Sequence, residues 1–216
     1  MANRALRTGL VSGLLLLVSE MAFCVSGAQI TITIHNEAPI PQKVLEQATQ
    51  EASRIFHQAG VNSVWILCQQ SNAGPSTPPD CRAPVDLIHL SLRIVPWSSQ
   101  MGDSTFGVAF LSEKGLGTYS DVFYPLAEKL SRQCAASLGR VLGHVMAHEI
   151  GHLFLGTNAH SPVGIMRPQW QAEELQQIGM GTLLFTPEQA RKMHARLLTP
   201  STDRRAGDTS APRSGN

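Results

Sequence analysis

Residues 138–160 read Leu-Gly-Arg-Val-Leu-Gly-His-Val-Met-Ala-His-Glu-Ile-Gly-His-Leu-Phe-Leu-Gly-Thr-Asn-Ala-His. Leu138, Val141, Leu142, Val145 and Met146 recur at helical spacing, and His148, Glu149 and His152 continue along or beside that stripe. Residues four apart on a helix project at nearly the same angle, so the imidazoles of His148 and His152 can reach one metal ion. Glu149 stands roughly 100° round from His148, close to such an ion without being forced to bind it. That is the placement a general base needs beside a metal-activated water. An unpaired Glu carried toward a core is costly, so it needs either a partner or a task. Gly143 and Gly151 each disfavour the helix by about 1 kcal/mol, which predicts close packing against another element. Gly156 supplies the left-handed residue that ends the helix. His160 follows it, and Gly164-Ile165-Met166 then forms a tight turn presenting a Met.

Upstream of this helix the chain reads as a sheet. Ile30-Thr31-Ile32-Thr33-Ile34 alternates as a half-buried strand does. Pro41 opens a helix in which Val44, Leu45, Ala48, Ala52, Ile55 and Phe56 share a face until Gly60. Val61–Cys68 is a second strand, and Val85–Val95 a third, with Ile88, Leu90, Leu92 and Ile94 on one side. Phe106–Leu111 and Thr118–Tyr124 are two shorter strands. The long helical region Leu126–Leu155 carries a break near Cys134–Ser137. A short helix ends at Ile178, and a last one starts at Thr186-Pro187-Glu188-Gln189, where Thr186 caps and Gln189 completes a capping box. The order predicts an α+β domain, a mixed twisted sheet covered by helices, with a small helical C-terminal part.

The ends of the chain differ from its middle. Arg4 and Arg7 precede an apolar run, Leu10–Val18, and Ser26-Gly27-Ala28 offers small residues at a cleavage site. This is the pattern of a secretory signal peptide over residues 1–28, cut after Ala28. An uncleaved anchor fits less well, because the run is shorter than a bilayer span and Glu20 interrupts it. Phe23 is too bulky for a lipoprotein site at Cys24. The mature chain is expected to be secreted or periplasmic, with a domain over residues 29–199 and a disordered tail over 200–216, rich in Ser, Gly, Pro and charge. Almost nothing separates the expected cut from Ile30, which leaves no room for an inhibitory pro-segment.

The 216 residues are 43% hydrophobic and 15% charged, with a net charge of +1, which excludes wholesale disorder. Such a balance gives no electrostatic case for nucleic acid, and nothing in the mature chain is expected to span a membrane. Export predicts that Cys68 and Cys81 can staple the Pro- and Ser-rich loop between them. It leaves Cys134 as a small buried apolar residue.

The stretch His148-Glu149-x-x-His152, with His160 and Met166 beyond it, resembles the metzincin clan of zinc metallopeptidases, whose motif is His-Glu-x-x-His-x-x-Gly-x-x-His followed by a Met-turn. The strand and helix order from Ile30 to Met166 is similar to that clan's catalytic domain. Two departures stand out: the Gly comes one residue late, and the third His two residues late. Asn158 occupies the position of the standard third ligand. A neutral amide is a poor zinc ligand beside an imidazole, so His160 is the preferred assignment. Glu173 or Glu174, on a helix downstream, is the rival third ligand, as in the gluzincin clan, although adjacent Glu residues on a short helix more often form a solvated face.

The resemblance implies one catalytic Zn²⁺ on His148, His152 and His160, with Glu149 as general base. The expected activity is that of an exported endopeptidase acting on a peptide or protein substrate. It also implies that Phe106–Leu111 is an antiparallel edge strand that takes an extended peptide by strand addition, and that Met166 packs beneath the metal. In some members a Tyr just after the Met-turn helps to hold the reacting oxygen; here Tyr119 and Tyr124 both lie upstream. The alternative is an exported zinc-binding protein of protease-like fold that cleaves nothing. His144, one turn before His148, reads as a helix-face residue in preference to a group that supports the ligands. His35, His57, His89 and His194 read as structural or surface residues, and Trp170 as a pocket wall or a helix anchor.

Overall fold

A computed structural model describes residues 28–68, 81, 86, 88–97 and 105–198. The stretches read as signal peptide and tail, and the Pro- and Ser-rich loop, lie outside the described residues. Five strands form one mixed sheet in the order β2-β1-β3-β5-β4. They are β1 (Ala28–Asn36), β2 (Val61–Cys68), β3 (His89–Val95), β4 (Gly107–Phe110) and β5 (Tyr119–Phe123). The first three and β5 run parallel, and β4 pairs antiparallel with β5 at one edge. The α+β expectation and the antiparallel edge strand are both borne out.

Helix α1 (Gln42–Gln58) carries the chain from β1 to β2 and buries Leu45, Ala48, Ala52, Ile55 and Phe56. Beneath it Ile30, Ile32 and Ile34 have no exposed surface. Each such side chain contributes about 1.5–3 kcal/mol on leaving water. The strand β1 is more than half-buried, contrary to its alternating pattern. It is flanked on both sides, and Thr33 on the opposite face is also buried, its hydroxyl donating to the Leu90 carbonyl at 3.1 Å. The third strand starts later than its hydrophobic run suggests. Asp86 accepts from the backbone N–H of Ile88 and of His89 at 2.8 and 2.9 Å, a side-chain turn that holds the chain out of the ladder. Ile88 is left exposed.

Helices α2 (Tyr124–Gln133) and α3 (Leu138–Leu155) are separated where the break was expected. Ser137 restarts the helix by accepting from the Arg140 N–H. Cys134, in the break, is half-buried rather than buried and is a free thiol. Glycines let α3 lie directly on α1: a Cβ on Gly143 would stand 2.6 Å from the Ala48 carbonyl, and one on Gly139 2.5 Å from Gln47 Cβ. Helices α4 (Ala172–Met180) and α5 (Pro187–Leu198) complete the fold. At the start of α5, the Thr186 N–H donates to Gln189 Oε1 at 2.9 Å and the Gln189 N–H to Thr186 Oγ1 at 3.3 Å, the expected reciprocal cap. Cys68 and Cys81 form a disulfide at the β2 edge. Among the described residues no helix is long and apolar enough to cross a membrane.

Candidate metal centre

Fifteen of the eighteen residues of α3 are buried, among them His148, Glu149 and His152. His148 Nδ1 lies 2.7 Å from the Ile165 carbonyl and His152 Nδ1 lies 2.8 Å from the Thr157 carbonyl. A carbonyl can only accept, so both Nδ1 atoms carry the proton and both Nε2 atoms present lone pairs. Those two Nε2 atoms face each other at 3.1 Å. Neither has a proton to give the other, so the pair repels unless a cation lies between them. Two zinc–nitrogen bonds at the tetrahedral angle put the nitrogens about 3.3 Å apart, close to this separation.

His160 closes the set. Gly156, at φ 66°, turns the chain back from the helix end, and its N–H and that of Thr157 both reach the His152 carbonyl. The His160 ring stands 5.4 Å from that of His148 and 4.9 Å from that of His152. The ligand atoms of the three histidines all lie within 4.8 Å of one another. Three neutral imidazoles so disposed can hold one zinc ion. Burial pushes the basicity of all three down, His152 to about 4, which keeps them in the unprotonated form a metal requires.

Glu149 is 2% exposed and its carboxylate meets no hydrogen-bond donor among the described residues. Burial, and then the negative charge of Asp121, hold its carboxyl well above the usual range. The strand β4 passes close over it because residue 107 is glycine: a Cβ there would come 2.8 Å from the Glu149 carboxyl carbon. Asp121 is committed elsewhere. It accepts two hydrogen bonds from Arg93 at 2.9 and 2.7 Å and one from the Tyr119 hydroxyl at 2.8 Å.

A cleft of about 250 Å³ opens over these groups, lined also by residues 105–109, Asn158, His160 and Pro168. Phe106 packs on the His148 ring at 4.9 Å and on Trp170 at 4.2 Å. Trp170 Nε1–H donates to the same Ile165 carbonyl that holds His148, at 3.2 Å. Trp170 therefore anchors the site from behind Phe106 and does not itself line the cleft. Met166 is buried under α3, and its Sδ would lie 2.8 Å from a Cβ on Gly151. The close packing expected of Gly143 and Gly151 is thus accounted for.

The structure brings His148, Glu149, His152 and His160 together, with Asn158 in the same cleft. Glu173 and Glu174 stay apart from it. Glu174 is not on a solvated face: it is buried, paired with Arg167, and accepts from the Gln171 N–H at 2.9 Å to cap α4. Glu173 is exposed and receives Gln177. His144, one turn before His148, lies on an inward face of α3. It is fully buried, with Nδ1 2.9 Å from the Arg140 carbonyl and 3.7 Å from Glu51. Gly107 and the Ile165 and Thr157 carbonyls escaped the sequence reading. A glycine inside a strand signals close backbone approach and was the one available cue; carbonyl acceptors leave none.

No protein-family model and no curated protein matches the sequence. Solved structures do resemble the fold. A zinc-dependent peptidase from Methanocorpusculum labreanum superposes with a TM-score of 0.50 at 16% identity, over 75% of this chain and 99% of that one. An archaemetzincin from Methanopyrus kandleri gives a TM-score of 0.44 at 14% identity, over 80% of this chain and 97% of that one. The first likeness establishes the fold.

Proposed function

We propose that this chain is an exported, metzincin-like zinc endopeptidase. The observation that carries the reading is the pair of unprotonated Nε2 atoms of His148 and His152, 3.1 Å apart with both Nδ1 protons committed to carbonyls. His160 supplies the third nitrogen. A Zn²⁺ held there would act as a Lewis acid and lower the pKa of water toward roughly 7. The resemblance of the fold to a zinc-dependent peptidase supports the same conclusion.

The chain's own residues supply the rest. Ile165 and Thr157 fix the tautomer and the orientation of two ligands, a control that typically affects metal affinity 10–100-fold. Glu149, buried and without a hydrogen-bond partner among the described residues, accepts a proton from water as it attacks the peptide carbonyl, then gives it to the departing amine. The open edge of β4 offers backbone groups against which an extended peptide lies as a further strand. Met166 packs under α3 as a Met-turn residue would. The Cys68–Cys81 disulfide supports export through the residue 1–28 signal, since such bonds persist in oxidising compartments.

Metal analysis joined to a peptide-library assay tests this reading. One zinc per chain and chelator-sensitive cleavage are expected. Zinc without cleavage of any peptide would make the protein a binding module instead.

A further inference from the structure

We propose that the Asn158 carboxamide is a catalytic residue, donating a hydrogen bond to the scissile carbonyl oxygen as negative charge develops there. The proposal rests on the peptidase reading and adds a residue to it. In that step the water oxygen bonds to the carbonyl carbon, the C=O π pair moves onto oxygen, and the water proton passes to Glu149. Collapse re-forms C=O and breaks the C–N bond, and the proton leaves with the amine. The Asn158 N–H accompanies the charge and is not transferred.

The cleft holds few groups able to do this. Phe106, Val108, Ala109 and Pro168 are apolar, and its described lining contains no Arg, Lys, Tyr or Ser. The Nδ1–H groups of His148 and His152 are already spent on carbonyls. Apart from His160, this leaves two side-chain donors in the described lining, Thr105 and Asn158. Thr105 leads into β4, the wall along which the peptide backbone would lie. Asn158 stands on the ligand wall.

Its position there is set by its neighbours. Thr157, just before it, accepts from His152 through its carbonyl at 2.8 Å. The Ala159 N–H, just after it, donates to Thr157 Oγ1 at 3.0 Å and ties the turn. His160 follows. The amide is therefore held between two ligands, while its own side chain is exposed to the cleft and makes no hydrogen bond to another described residue. The late third histidine is what creates this: the two additional residues place an uncharged donor where the shorter motif has a ligand. A donor whose backbone is held in place before reaction needs little reorganisation to meet a developing oxyanion. Asn keeps its protons at every working pH.

The test compares wild type with Asn158→Ala and Asn158→Asp, all zinc-loaded, on a cleaved peptide. It also measures calorimetric binding of a phosphinic peptide, which mimics the tetrahedral state, and of the product peptides. For both variants kcat should fall about 100-fold with KM within about twofold. Phosphinic-peptide affinity should fall by a similar factor, product affinity should not change, and zinc should stay at one per chain. Activity and phosphinic affinity within about threefold of wild type would overturn the assignment. So would loss of zinc from the variants, which would make Asn158 a support for the ligand loop. A wild type that neither cleaves peptides nor binds the phosphinic probe would instead overturn the peptidase reading, and this assignment with it.

Discussion

Gly107 and Glu149 meet at the wall of the cleft: a Cβ on residue 107 would stand 2.8 Å from both Cγ and Cδ of the glutamate and 2.1 Å from the Asp121 carbonyl. The buried carboxylate fits only because the edge strand is bare at that point. Gly107→Ala must displace β4, Glu149 or both. The nearest atoms to the added methyl belong to Asp121 and Glu149, not to the histidines. Peptide hydrolysis should fall about 100-fold, the scale of a 1 Å misplacement, with zinc retained. Steady-state kinetics with metal analysis would show it; turnover at the wild-type level would mean that the contact is slack.

Glu174 separates the two assignments of the third ligand. It caps α4 and pairs with Arg167, and lies outside the three-histidine group. Glu174→Ala should cost about 1–2 kcal/mol in denaturant unfolding through the lost cap. Zinc affinity should not change. A variant that releases zinc would restore the rival assignment.

His144 makes the fold sensitive to acid. Burial pushes it down to about 4 from an ordinary 6.5, because a charge there is unsolvated; the hydrogen bond to the Arg140 carbonyl and then Glu51 oppose this, while the charges of Arg54 and Arg140 add to it. The unfolded chain binds this proton first as pH falls, so stability is fully present above about 6.5 and is lost progressively toward about 4. The contribution is on the order of 3 kcal/mol. Replacing His144 with Leu should flatten the difference in melting temperature between pH 7 and pH 4.5 relative to wild type. An unchanged slope would show that His144 is not the source.

The Cys68–Cys81 disulfide lies at the β2 edge, across the sheet from β4 and the cleft. Cys68→Ser with Cys81→Ser should therefore lower stability by about 2–3 kcal/mol, the scale for a loop of this size, and leave kcat near wild type. A fall in kcat with zinc retained would indicate that the sheet transmits strain between its edges.

What could be read beforehand follows from the range of the forces involved. His148, Glu149 and His152 declare themselves because helical geometry is local, and Gly156 and Thr186 mark helix ends through their own backbone or side-chain chemistry. The break at Cys134–Ser137 was legible for the same reason. The late start of β3 was not, since one carboxylate, Asp86, outcompetes the ladder despite an apolar run. Glu174 looked like half of a solvated pair because its partner Arg167 lies before its helix. The fit of Gly107 on Glu149, and the carbonyls that orient two imidazoles, depend on residues far apart in the chain. They emerge only once the sheet edge is folded over α3.

Glu149→Ala, loaded with one zinc per chain, assayed on a peptide that the wild type cleaves, is the most direct test. Hydrolysis should disappear while zinc content and melting temperature stay at or above those of the wild type, because the variant removes a buried unpaired carboxylate and no ligand. Cleavage by that variant at the wild-type rate would contradict the mechanism.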